Sequence, residues 1–90
     1  MNKDVNSLLP IGTVVLANAG EKKIMIIGLL PIENNVRYDY IAVLYPEGYI
    51  DDKHFYMLNQ SDIKEICIEA EDNEETKRFR QKLHDYVNKQ

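Results

Sequence analysis

Residues 38–48 read YDYIAVLYPEG and form the longest nearly uninterrupted apolar run in the chain. Seven of their first eight positions are apolar or aromatic, and Asp39 is the only charge among them. A strand of this composition is buried on both faces, so we predict that residues from about Val36 to Tyr45 form the central strand of a small sheet. Pro46 and Gly48 predict a type I turn directly after this strand.

Two apolar segments before this run predict further strands. Thr13–Ala17 is rich in β-branched residues, and Lys23–Leu30 is apolar on both faces. Residues 18–22 between them contain the asparagine and glycine that are typical of a hairpin connection. Gly28 inside the second segment predicts a bulge or bend that curls the sheet, whereas residues 32–35 are predicted to be a loop.

The chain after this run is predicted to form short strands separated by polar turns, one of which covers residues 51–54. Ile66 and Ile68 share one face of the last strand, and glutamates flank Cys67 on the other face. Because that face is polar, we predict that the strand lies at an edge of the sheet. The predicted strands are Tyr49–Ile50, Phe55–Leu58 and Lys64–Glu69.

An amphipathic helix is predicted over residues 72–88. Asp72 and Glu75 have the spacing of a capping box, in which the two side chains bind the backbone of the first helical turn. Acidic residues crowd the start of this segment and basic residues follow, an order that complements the helix dipole. Four apolar residues form one stripe, namely Phe79, Leu83, Tyr86 and Val87.

Together these elements predict one α+β domain spanning residues 1–90. Residues 1–8 are predicted to be frayed, residues 9–69 to form a β meander, and residues 72–88 to form the C-terminal helix. Short connections favour antiparallel pairing. We therefore predict a small, strongly bent antiparallel sheet or open barrel of five to six strands, followed by one helix.

The composition narrows the possible partners and compartments. A formal net charge of −4 disfavours nucleic acid and anionic lipid as partners. The single cysteine excludes an internal disulfide and fits a reducing compartment. The chain has no apolar run as long as a membrane span, and its first ten residues lack the apolar core of a signal peptide. We expect a cytoplasmic protein without direct membrane insertion.

No group of residues has the types and spacing of a catalytic, cofactor or metal site. Asp51, Asp52 and His54 are possible metal ligands, but their spacing is loose and a solvated turn explains them better. Two glutamates flank Cys67 and disfavour a reactive thiolate. The residues therefore favour a protein that is not an enzyme and has no cofactor.

Six tyrosines are the most distinctive side chains of the chain. Tyrosine with few charged neighbours suits a protein-binding surface. The alternative is that the rings fill a small core and send their hydroxyls to its rim. The residues favour the core for the set as a whole and leave both interpretations open.

Three blocks resemble the signature blocks of one small family from Gram-positive bacteria, whose genes lie beside type VII secretion genes and LXG-type toxin genes. The resemblance covers roughly residues 8–80 and implies a non-enzymatic accessory protein, a targeting factor or chaperone. It also implies a protein partner, namely an LXG-type toxin and/or the membrane-bound secretion ATPase. The blocks are LPIGTVVL at 9–16, KIMIIG at 23–28 and YDYIAVLYPEG at 38–48.

The resemblance implies no catalytic residue. Asp39 is a lone acid in an apolar strand and must lie at a rim or be hydrogen-bonded. Alternatives that remain open are an immunity protein for a neighbouring toxin and a small ligand- or nucleic-acid-binding barrel. The sequence leaves the oligomeric state open. The candidates for partner contact are Asp39, Tyr40, Tyr45, Glu47 and Tyr49.

Overall fold

A computed structural model describes residues 5–18 and 20–89 of the chain. It has an α+β fold with a five-stranded antiparallel sheet, a separate two-stranded ribbon and one C-terminal helix. The strands are β1 (Val14–Ala17), β2 (Ile24–Leu29), β3 (Ile32–Glu33), β4 (Val36–Arg37), β5 (Tyr40–Leu44), β6 (Tyr56–Leu58) and β7 (Ile63–Ile68). The helices are two short 3₁₀ helices, Val5–Ser7 and Gln60–Asp62, and the α-helix α1 (Glu74–Asn88).

The predicted antiparallel sheet is confirmed, but its strand order differs from the expectation. The order is β6-β5-β2-β1-β7, so the middle strand is β2 and not the strand of residues 38–48. Both β2 and β5 are apolar on both faces, and the return of β7 to pair with β1 decides which of them is central. The sheet is not closed, and β6 and β7 are its two edges.

The bend predicted at Gly28 is confirmed. The register between β2 and β5 shifts between Ile26 and Gly28, which is the signature of a bulge. A Cβ atom added to Gly28 would lie 2.7 Å from Cγ2 of Ile41 on the neighbouring strand. Glycine is therefore required here by the close approach of the two strands.

The prediction of a loop over residues 32–35 is wrong. Asn34 and Asn35 have φ angles of 54° and 66° and connect β3 and β4 as a two-residue hairpin turn. Both central residues of such a turn adopt the left-handed conformation, which asparagine tolerates. Because this hairpin takes up Val36–Arg37, the strand expected from about Val36 begins only at Tyr40.

The turn after β5 is also of another kind than predicted. The backbone N–H of Gly48 donates to the carbonyl oxygen of Leu44 at 2.7 Å, so the turn is one residue longer than a type I turn. Gly48 has a φ of 77°, and the Tyr45–Pro46 peptide bond is cis. The predicted strand over Tyr49–Ile50 is wrong, since these residues are exposed and lie outside the strands.

The core lies on the sheet face that the N-terminal 3₁₀ helix and α1 cover. Val5 and Leu8 are buried in it, so the expected fraying is wrong for residues 5–8, and residues 1–4 lie outside the described part of the chain. From α1, Leu83 and Val87 pack against this core. The buried members are Val5, Leu8, Val15, Ile24, Ile26, Leu30, Tyr40, Ala42 and Leu58.

The C-terminal helix is confirmed, although its cap differs. Oδ1 of Asn73 accepts from the N–H of Thr76 at 2.9 Å, so Asn73 is the N-cap and not Asp72. Of the predicted stripe, Phe79 and Tyr86 remain largely exposed. Within residues 5–18 and 20–89, no helix combines the length and the apolar character needed to cross a membrane.

The edge position predicted for the last strand is confirmed. The partner of β7 in the sheet is β1, and the register between these two strands shifts at two places. Bulges and charged residues at an edge hinder pairing with another chain. Ile66 and Ile68 are both exposed, so the apolar face of this strand is not part of the core.

We expect Gly28→Ala to lower the free energy of unfolding by about 1–3 kcal/mol, because the new methyl group would overlap the branched side chain of Ile41. Urea denaturation measures this change. Gly20→Ala is the matched control, since its Cβ would meet no atom closer than 3.7 Å. Equal stability of the two variants would contradict the close approach at Gly28.

Candidate functional site

Asp39 lies at the start of β5, where it holds the second 3₁₀ helix. Its Oδ2 accepts from the N–H of Gln60 at 2.7 Å, and its own N–H donates to Oδ1 of Asn59 at 3.1 Å. The residue is buried, with 6% of its surface exposed. These hydrogen bonds confirm one of the two environments predicted for Asp39, the hydrogen-bonded one. A buried carboxylate without such partners would lower the stability of the fold.

Tyr40 connects the same turn to the N-terminal segment. Its ring is fully buried, and its hydroxyl accepts from the N–H of Leu9 at 2.9 Å. The hydroxyl also donates to Oε1 of Gln60. Burial raises the pKa of Tyr40, as does the charge of Asp39, while the Leu9 N–H and the Arg80 charge act in the opposite direction.

Arg80 completes this polar network, and the sequence reasoning missed it. The side chain is 5% exposed, although arginine is rarely buried without a partner. Its Nη1 donates to the carbonyl oxygen of Leu8 at 3.1 Å, and its Nη2 donates to Asp72 at 2.7 and 2.9 Å. A signal was present, because Arg80 shares one helical face with Leu83 and Val87 at spacings of three and seven residues.

The network of Asp39, Tyr40, Arg80 and their partners has a structural role, and we call it the joint because it connects β5, the N-terminal segment, the second 3₁₀ helix and α1. Each of its polar side chains is bound by another part of the chain, and no buried side-chain nitrogen or oxygen in the described residues lacks a partner. Such satisfaction fixes the joined segments in place. Two of the five candidates for partner contact, Asp39 and Tyr40, therefore lie inside the protein and not on its surface.

A concave surface lies beside the edge strand β6 and forms a groove. It has a volume of about 410 Å³ and lies where β1 ends, β2 begins and β6 runs along the edge. We call it the β6 groove. Its apolar wall consists of Ala17, Ile24, Leu44, Tyr56, Met57 and Leu58, and its polar rim includes Asn18, Glu21, Lys22 and Asp62.

The loop between β5 and β6, residues 45–55, adjoins this groove and is called the aromatic loop below. Nζ of Lys22 on the groove rim lies 2.7 Å from Oε1 of Glu47 in the loop, and this hydrogen bond lowers the pKa of Glu47. Tyr49 is 66% exposed, and its ring centroid lies 5.5 Å from that of Phe55. The other three candidates, Tyr45, Glu47 and Tyr49, are thus together in this loop.

Residues 51–54 of the aromatic loop form the predicted polar turn, and hydrogen bonds within it hold its conformation. Oδ1 of Asp51 accepts from the N–H of Lys53 at 2.9 Å and lies 2.6 Å from Nδ1 of His54. The contact with His54 lowers the pKa of Asp51. Over residues 5–18 and 20–89, no cluster of three or more histidine, cysteine or acidic side chains could hold a metal ion.

The tyrosines divide between both predicted interpretations. Tyr40 belongs to the core, whereas Tyr49, Tyr56 and Tyr86 are exposed. The sequence does not predict the β6 groove, since its walls come from four strands and join the β1–β2 segment to the distant β5–β6 segment. Cys67 is half-buried in β7, away from the groove lining.

A protein-family model matches most of the chain. The model of a family described as a domain of unknown function, DUF4176, matches residues 8–79. This range contains the five-stranded sheet, the β6 groove and the aromatic loop, and it ends within α1. The comparisons with curated proteins and with solved structures found no match.

We expect Tyr40→Phe to lower the free energy of unfolding by about 1–3 kcal/mol. The change removes the acceptor of the Leu9 N–H and leaves a donor without its partner inside the protein. Urea denaturation measures the loss. Tyr49→Phe removes the same atom from an exposed ring and should change stability by less than about 0.5 kcal/mol. A neutral Tyr40→Phe would show that the hydroxyl does not join these segments.

The raised pKa of Tyr40 predicts a loss of stability at alkaline pH. Above the ordinary tyrosine value of about 10, the unfolded chain releases this proton before the folded chain does, so folding weakens as pH rises. Stability measured from pH 8 upward should therefore fall more steeply for the wild type than for Tyr40→Phe. Lysine titration is common to both proteins and cancels in the comparison. Parallel curves would contradict the prediction.

Proposed function

The chain belongs to the DUF4176 family, and for this member we propose a non-enzymatic role as an accessory protein that binds another protein. The partner is an LXG-type toxin of a type VII secretion system and/or the secretion ATPase, in keeping with the resemblance of the three sequence blocks. The protein acts in the cytoplasm as a targeting factor or chaperone for the toxin.

The observation that carries this proposal is the continuity of the β6 groove with the aromatic loop. Leu44 and Tyr56 line the groove, and the ion pair between Lys22 and Glu47 links its rim to the loop. Tyr49, two residues after Glu47, presents an exposed ring in the same loop. An apolar depression with aromatic side chains and a polar margin is the usual composition of a protein-binding site.

The buried polar residues support a role without catalysis. The hydrogen-bonding groups of Asp39, Tyr40 and Arg80 are bound to backbone and side-chain atoms of neighbouring segments. Groups held in this way stabilise the fold and are not directed at a substrate. The exposed Asp51 and His54 bind each other in a local turn.

A small apolar ligand is the second candidate. The volume of the β6 groove, about 410 Å³, lies within the range of small-molecule sites, and its wall is largely apolar. Native mass spectrometry of the purified protein distinguishes the two functions. A bound small molecule favours the ligand, whereas a ligand-free chain that captures the toxin favours the protein partner.

We expect Tyr49→Ala to weaken binding of the LXG-type toxin proposed as the partner by about 30-fold or more, as for an aromatic hot spot. Co-expression with the toxin and calorimetric titration measure the affinity. Thermal unfolding of the free variant should be unchanged, because the ring is 66% exposed. Ile68→Ala is the control, since it removes an exposed apolar side chain from β7, the sheet edge opposite to β6.

Three outcomes count against the proposal. Failure of the wild type to bind the toxin or the secretion ATPase would exclude the named partners. Equal loss of binding and stability in Tyr49→Ala would assign this ring to the core. Neutralisation of the toxin on co-expression would favour the immunity role, because a targeting factor delivers its toxin in active form.

A further inference from the structure

We propose that a second copy of this chain packs against α1, so that the two helices lie antiparallel along one exposed stripe. The stripe consists of Glu75, Phe79, Lys82, Tyr86 and Lys89, spaced by four, three, four and three residues. This spacing places all five on one side of a helix. The surface is independent of the β6 groove and of the proposed function.

The apolar residues of the stripe are not used by the fold. Phe79 is 46% exposed and Tyr86 is 62% exposed, whereas Leu83 and Val87 on the adjacent face pack against the core. Ile11, beside Phe79, is also largely exposed. These three side chains give α1 an apolar flank that a neighbouring helix would remove from water.

A notch next to Phe79 offers a place for an aromatic ring. It has a volume of about 200 Å³. Its lining residues are Ile11, Leu29, Asn73, Glu75, Thr76 and Phe79, so apolar side chains lie beside a polar margin. Tyr86 lies two turns further along the helix, about 10 Å from Phe79. In an antiparallel pair centred near residue 82, Tyr86 of the second copy therefore faces Phe79 and this notch.

The charges of the stripe are complementary to those of a second copy, and only when the two helices run antiparallel. Glu75 and Lys89 lie at opposite ends of the stripe, about 21 Å apart. Antiparallel packing around residue 82 sets Glu75 of each copy against Lys89 of the other, which gives two ion pairs. Parallel packing would oppose Glu75 to Glu75 and Lys89 to Lys89. Antiparallel packing centred near residue 82 therefore forms both the contact of Tyr86 with Phe79 and the two ion pairs.

Lys82 sets the strength of this association. It lies at the centre of the stripe, so the two copies of Lys82 meet near the symmetry axis and repel each other. Long lysine side chains can turn away into water while their stems stay packed. We therefore expect a reversible dimer that becomes tighter in Lys82→Ala.

Sedimentation velocity of the full chain over a wide concentration range tests the pairing. The wild type should pass from monomer to dimer, and Tyr86→Ala should raise the dissociation constant by about tenfold or more. Tyr49→Ala is the control and should leave it unchanged, because that ring is similarly exposed but lies in the aromatic loop. A monomer at all concentrations, or a dimer that Tyr86→Ala does not weaken, would overturn the proposal.

A charge exchange tests the register. Glu75→Lys and Lys89→Glu should each weaken the dimer, and the double variant should restore it because the opposite charges then face each other again. Glu74→Lys controls for the loss of a negative charge in the first helical turn, since Glu74 lies off the stripe. A double variant weaker than either single variant, or weaker association of Lys82→Ala, would overturn this arrangement.

Discussion

The hydroxyl of Tyr40 is the contact on which the arrangement of the elements depends. It binds the N–H of Leu9 and the side chain of Gln60, so it ties the N-terminal segment and the second 3₁₀ helix to β5. Arg80 reaches the same N-terminal segment from α1 through the carbonyl oxygen of Leu8. A buried polar atom without a hydrogen-bond partner lowers the free energy of unfolding. The relative position of strand, turn and helix in which these atoms are all paired is therefore favoured over others.

This joint separates the residues that hold the fold from those that are available for contact. Asp39 and Tyr40 were candidates for binding because they interrupt an apolar strand with polar atoms, yet those atoms are the ones that the joint uses. The aromatic loop and the outer flank of α1 contribute little to the core. Aromatic rings that remain exposed after the core is complete are the side chains whose burial a partner can still supply.

Local patterns in the sequence predicted the elements that depend on neighbouring residues. The strands around Val15 and Ile26, the bend at Gly28 and the helix with Leu83 and Val87 follow from periodicity and glycine placement. The central position of β2 follows instead from pairing between β1 and β7, which are far apart in sequence. The β6 groove and the burial of Arg80 also depend on contacts between residues that are far apart in sequence. Of the candidate site, the sequence therefore predicted only that Tyr45, Glu47 and Tyr49 lie close together, because they are near neighbours along the chain.

The two surfaces lie at opposite ends of the β1–β2 hairpin, and this has a consequence for binding. The β6 groove includes Ala17 and Ile24 near the turn, whereas the notch beside α1 is lined by Ile11 and Leu29 at the other end. Pairing of two copies through α1 therefore leaves both grooves open. A dimer of this kind would offer two equal sites to an oligomeric partner, and the second contact would form at a high effective concentration. Weak individual grooves would then suffice for stable binding, since linkage of two sites increases the overall affinity without any new contact.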